Sequence, residues 1–299
     1  MQTTLRTIYG DAQARRQRPS VVLLSPHDGP MEWFVGECPA LLAACPADAE
    51  TLARFCALER DVGATALAHR IATLLVERGV VRVDVVEVCL PRGIVDGNRL
   101  TERALRNIFP ADAYPDLVRY LHASHASVLT SVRESLALLS PTGIFVDVHT
   151  MAPYTPAVDP QSPTETIAEH PDALHHVIET WTNRARWRER RHVDVVTRLS
   201  GTDALLADPL LRVALVRYLS EHEVPWRENL PYPTAEHVLT THYLRQRRGV
   251  AIDVPKDVLG ATPAEHESFD LLAPTIDAQR VGRIAEPVAS AIIEALGRQ

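Results

Sequence analysis

Short apolar runs bounded by turn residues alternate along this chain with longer stretches of helical period. Residues 19–25 and 143–149 are apolar on both faces and too short for core helices, so they read as buried parallel strands. Residues 81–90 alternate and are rich in valine, which predicts a third strand, and shorter strands are expected at 192–199 and 249–254. Between them, 62–79 carries Leu67, Ile71, Leu74, Leu75 and Val76 at helical spacing and stops at Gly79. A long amphipathic helix is expected over 114–139, ended by Ser140-Pro141, with further helices over 171–190, 203–222 and 275–297. Strands alternating with helices predict a three-layer α/β fold, its central sheet mainly parallel or mixed, with helices on both faces. The expected organisation is one catalytic domain over 1–299. An insertion or lid is expected at about 152–230, where proline and polar residues in 152–170 interrupt the alternation.

Composition narrows the classes of function. The chain has 299 residues, 46% of them apolar, enough for a sizeable core. A net charge of −7 argues against a nucleic-acid or anionic-membrane partner, since either would call for a basic surface. The basic run Arg184–Arg191, with Trp187 inside it, is accordingly read as a solvated helix face. No apolar stretch reaches the ~18 residues of a membrane span. Residues 1–6 lack the charged-then-apolar layout of a leader. Cys38, Cys45, Cys56 and Cys89 show no paired zinc spacing, and a disulfide framework is not expected in a chain of this length. These features predict a soluble cytoplasmic protein with reduced thiols. Neither a nucleotide-binding glycine loop nor a serine-hydrolase elbow is present around Ser25 or elsewhere.

The candidate chemistry sits at strand ends. His27 follows the first strand and His149 ends the strand at 143–149. In open α/β sheets ligands gather beyond the carboxyl ends of the strands, so adjacent placement of these strands would bring the two imidazoles together. A hydrolytic zinc site needs three nitrogen or oxygen ligands and one open position. The histidines supply two; Asp61, Glu59, Asp28 and Glu32 are the candidate third, and spacing does not choose among them. Asp61 has a second reading as the N-cap of the following helix. Asp147 lies two residues before His149 on the same strand face and could orient its ring. The segment 92–99 carries Arg92, Asn98 and Arg99 directly after a strand, a grouping able to clamp a carboxylate. His175, His176, His237, His242, His122 and His125 are read as structural, with His237 also a candidate pocket residue.

Three segments resemble, in order and spacing, the N-formylglutamate amidohydrolase family. They are Ser25-Pro26-His27-Asp28-Gly29, Ile94-Val95-Asp96-Gly97-Asn98-Arg99 and Phe145-Val146-Asp147-Val148-His149-Thr150-Met151. The likeness covers about 19–152, with a fainter echo near 229–257. That family is related to the zinc carboxypeptidases and the aspartoacylase group, so the resemblance implies a zinc-carboxypeptidase-like (phosphorylase/hydrolase-like) fold. It also implies one divalent zinc ion per chain on His27, Asp61 and His149. By the same resemblance, Asn98 and Arg99 would bind a substrate carboxylate and Arg92 would serve the oxyanion or the substrate. Asp253 would replace the family's glutamate general base. The family's Gln-x-Glu pattern is here Ala251-Ile252-Asp253, its Ser is Asp28 and its Leu is Gly97. The implied activity is a metal-dependent hydrolase acting on the amide bond of a small, anionic N-formyl-type compound. The departures leave two alternatives: a non-hydrolytic binder of small anions, and a hydrolase of another acyl bond such as an ester or hydrazide.

Overall fold

The alternation of short apolar strands and amphipathic helices builds a seven-stranded mixed sheet sandwiched between helices. The computed structural model describes residues 2–38, 40–45, 47–106, 108–109, 111–156, 173–182, 187–189, 192–230, 234–260 and 270–297. Its sheet strands are β1 (Thr4–Tyr9), β2 (Val21–Ser25), β3 (Val83–Val88), β4 (Ile144–Met151), β7 (Val193–Val196), β8 (Trp226–Glu228) and β9 (Gly249–Pro255). A separate two-stranded ribbon pairs β5 (Tyr154–Pro156) with β6 (Trp187–Glu189). The helices are α1 (Met31–Glu37), α2 (Ala40–Ala44), α3 (Ala49–Glu59), α4 (Ala64–Glu77), α5 (Pro115–Leu138), α6 (Ala173–Thr182), α7 (Pro209–Glu221), α8 (Leu239–Gln246), α9 (Lys256–Leu259) and α10 (Ala278–Gly297).

Sheet order is β1-β3-β2-β4-β9-β7-β8. Strands β3, β2, β4 and β9 run parallel, while β1 and β7 run antiparallel to β3 and β9. From β2 the chain crosses through α4 to β3 on one side, then returns through α5 to β4 on the other. Strands β2 and β4 are therefore neighbours at a topological switch point, where open α/β sheets place their ligands.

Strand alternation sorts the core into two layers. Val21 and Leu23 of β2, Ile144, Val146 and Val148 of β4, and Val250, Ile252 and Val254 of β9 pack under α4, α7 and α10. Val22 and Leu24 of β2 and Phe145 of β4 face the other layer, with residues of α3, α5, α6 and α8. Full burial of each such side chain contributes about 1.5–3 kcal/mol. Because Val148 faces the first layer, Asp147 and His149 face the second, as the strand period predicts. In register, Asp147 lies beside Ala251 and His149 beside Asp253.

Several elements differ from the sequence expectations. Strand β1 was not foreseen, because an edge strand with exposed residues lacks an apolar run. Helix α6 ends at Thr182 and the chain returns as β6, so the helix expected over 171–190 is shorter. The loose stretch 152–170 falls mostly on 157–170, outside the described residues, as does most of the Arg184–Arg191 run. Among the described residues no helix is long and apolar enough to cross a membrane.

Candidate metal centre

The chain brings its two strand-end histidines to one point. The His27 and His149 ring centroids lie 5.0 Å apart. His27 follows β2 in a loop that packs tightly on the end of β3: a Cβ on Gly29 would meet the Cys89 and Leu90 carbonyl oxygens at 2.6 Å. Asp61 enters from the turn after α3, held by a backbone hydrogen bond from its N–H to the His27 carbonyl, 3.0 Å. Gly63, at φ +96°, lets the chain turn from there into α4.

The ligand atoms follow from what their other atoms do. His27 Nε2 lies 2.7 Å from Asp96 Oδ1, and His149 Nε2 lies 3.2 Å from Asp147 Oδ1. Asp96 accepts the His27 Nε2–H, while His149 Nε2 keeps Asp147 at ion-pair distance and meets the Asn98 amide nitrogen at 3.4 Å; both Nδ1 atoms lie toward Asp61 Oδ2, at 3.3 Å and 3.1 Å. Asp61 Oδ1 is taken by Arg92 Nη1 at 3.1 Å. Among the described residues, His27, Asp61 and His149 offer ligand atoms all within 4.8 Å of one another. Two imidazole nitrogens, with carboxylates beside their rings, and one carboxylate oxygen fit a divalent ion of the zinc type with a position left for a small ligand.

The other candidate carboxylates are engaged elsewhere. Asp28 accepts from the Gly63 and Thr65 N–H groups at the start of α4 and pairs with Arg60 at 2.9 Å. It thus fills the capping role considered for Asp61. Glu59 pairs with Arg106 at 2.9 Å, and Glu32 is exposed on α1.

Asp96 is the anchor of the 92–106 segment and received no role from the sequence. It is fully buried and accepts from the Asn98 N–H at 2.9 Å. The side chains of Arg99 and Arg106 both reach its Oδ2 at 3.4 Å, and Arg92 Nε lies 3.7 Å away. His125, on α5, supports the same segment through its Nε2 to the Arg99 carbonyl, 3.1 Å.

Asn98, expected on a substrate carboxylate, is engaged on both sides of its amide. Its Nδ2 donates to Thr240 Oγ1 at 2.8 Å and its Oδ1 accepts from Thr240 N at 2.9 Å, which caps the start of α8. Thr240 Oγ1 also donates to Asp147. Arg92 Nε–H is buried with no hydrogen-bond acceptor among the described residues, an orphan donor beside the centre. Asp253 is the register partner of His149, and its charge is felt at Arg92.

Burial works to raise the Asp61 carboxyl, but the charge of Arg92 and hydrogen bonds from His149 and His27 outweigh it. They hold Asp61 well below the usual carboxylate range. Asp96 is lowered in the same way, burial being overcome by His27, Arg92 and Arg106. For His149, burial disfavours the imidazolium, yet Asp147 and Asp61 raise it well above the ordinary 6.5. A raised value means His149 favours folding at low pH, and this contribution fades as pH rises through the folded-state value. A metal ion held at Nδ1 would compete with a proton for that atom. Zinc uptake near neutral pH is therefore expected to release protons, with affinity weakening as pH falls. Calorimetry in buffers of different ionisation enthalpy measures this, and a release of zero would contradict it.

A mixed α/β sheet with a His₂–carboxylate cluster at its switch point defines the class of site. No family model matches the sequence, and no curated protein does. The fold is similar to the crystal structure of a gene product of Agrobacterium tumefaciens, with a TM-score of 0.52 and 17% identity over 98% of this chain and 95% of that one. It is also similar to N-formylglutamate amidohydrolase from Ralstonia eutropha JMP134, with a TM-score of 0.54 and 13% identity over 97% of this chain and 96% of that one. At these identities the likeness establishes a shared fold.

Proposed function

We propose that this chain is a metal-dependent hydrolase that cleaves the amide bond of a small N-acyl compound bearing a carboxylate, of the N-formyl amino acid type. The observation that carries the reading is the convergence of His27 Nδ1, His149 Nδ1 and Asp61 Oδ2, with Asp96 hydrogen-bonded to the His27 ring and Asp147 within ion-pair distance of the His149 ring. The fold shared with an N-formylglutamate amidohydrolase supports it.

His27, Asp61 and His149 would hold one zinc ion per chain. Such an ion, when bound, polarises a carbonyl and makes water a nucleophile near neutral pH. Asp253, beside His149 in the sheet, would take the proton of the attacking water as general base. Arg92, whose Nε–H lacks an acceptor, would donate to the carbonyl oxygen as negative charge develops there. Arg99 would meet the substrate carboxylate, its guanidinium held by Asp96. Asn98 would act by fixing α8 and Asp147 rather than by touching substrate.

The test is a screen of the zinc-loaded protein with formyl, acetyl and succinyl amino acids alongside ester and hydrazide analogues. Turnover of a formyl amino acid is expected, and Asp253→Asn should lower kcat by roughly 10²–10⁴-fold with zinc content unchanged. Zinc binding without turnover of any donor would refute the hydrolase reading in favour of a small-anion binder. Cleavage confined to esters or hydrazides would replace the amide substrate.

A further inference from the structure

Lys256 is the one lysine of the chain; every other strongly basic side chain is arginine. It is not a surface residue: it is 2% exposed and follows the carboxyl end of β9 directly. Its Nζ reaches across to the Leu58 carbonyl near the end of α3, at 3.2 Å. Leu58 stands three residues ahead of Asp61, and Lys256 stands three residues past Asp253. The two chain segments joined by this bond therefore carry the metal-ligating carboxylate and the proposed base.

The surroundings show that the amine lies within electrostatic reach of the centre. Burial pushes its pKa down to about 8, while the charges of Asp61, Glu59 and Asp28 oppose that fall and Arg92 adds to it. A guanidinium would not substitute simply here. It is planar and broad, whereas an ammonium is a compact charge on a flexible stem that can meet a single carbonyl. A buried ammonium is also costly to desolvate, so its place in the interior calls for compensating partners. The hydrogen-bonded partner is the Leu58 carbonyl of α3, with the charges of Asp61, Glu59 and Asp28 acting on the amine from farther off.

We propose that Lys256 is a positioning residue of the metal centre: its ammonium ties the end of α3 to the end of β9, so that Asp61 and Asp253 keep a fixed relation to the two imidazoles. The inference rests on the metal reading above. It concerns the holding of the ligand loop, and Lys256 itself need not touch substrate.

Lys256→Met should retain secondary structure by circular dichroism but bind zinc about 10–100-fold more weakly in chelator competition, as loss of a supporting partner does at other metal sites. A lowered melting temperature with zinc affinity unchanged would mark a merely structural role and overturn the proposal. Should the variant fail to fold, the unmodified chain decides. Labelling with ε-¹⁵N-lysine marks one side-chain nitrogen in the whole protein, and its resonance should shift when zinc is added. A signal that does not move while zinc binds would overturn the proposal. If the unmodified protein takes up no zinc at all, the metal reading itself falls and this inference with it.

Discussion

His149→Ala should abolish turnover and weaken zinc binding by about 10²–10⁴-fold. The magnitude follows from the ligand count. Structural zinc binding is worth on the order of 10–16 kcal/mol, and a centre reduced from three protein ligands to two gives up roughly a third of that or somewhat less. The side chain also bridges two buried carboxylates, with Nδ1 3.1 Å from Asp61 and Nε2 3.2 Å from Asp147. Its removal leaves those anions with one partner fewer. The proton release expected on zinc uptake should shrink in the same variant, because His149 is the group raised well above its ordinary value. Chelator competition and calorimetry read both effects. Undiminished zinc affinity in His149→Ala would remove the centre from this part of the molecule.

The parts of this site that were legible in the sequence are those fixed by local pattern. Two apolar runs each ending near a histidine gave β2 and β4, and the two-residue period of a strand put Asp147 on the face of His149. The mixed α/β layering followed from alternation. What stayed illegible depends on chain segments meeting in space. Asp61 could not be chosen over Asp28 from spacing, because both flank turns near a helix start. The choice is made by the Asp61 N–H bonding back to the His27 carbonyl while Asp28 receives the N–H groups of α4.

Asp96 lay inside a quoted motif without a role, since nothing local shows that one loop carboxylate will collect an imidazole and several arginines. Helix α8 went unread because its pattern is short and largely polar, and its cap comes from Asn98, far away in sequence. The helix expected over 171–190 is not continuous: α6 spans Ala173–Thr182, and Trp187–Glu189 pair with β5 as a strand.

Asp96→Ala should be the most destabilising single change in the site, by about 3–5 kcal/mol at pH 7, because removing one partner of a buried ionic cluster leaves the others uncompensated. Asp96 is fully buried, and Arg92, Arg99 and Arg106 all lie close to its Oδ2. It also fixes His27 by accepting from Nε2 at 2.7 Å, so zinc affinity should fall about 10–100-fold as well. Asp96→Asn separates the two roles: the amide oxygen can still accept from His27 while the charge facing the arginines is gone. The sign with pH follows from a carboxyl held below its usual value. Its contribution is complete above the unfolded-state value of ~3.9 and is lost as pH falls through the lower folded value. The stability gap between the natural protein and Asp96→Asn should therefore be full at neutral pH and close only in acid below about pH 4. Urea unfolding across that range measures it. A gap that widens in acid, or an Asp96→Ala variant with an unchanged midpoint, would show that this carboxylate does not hold the cluster together.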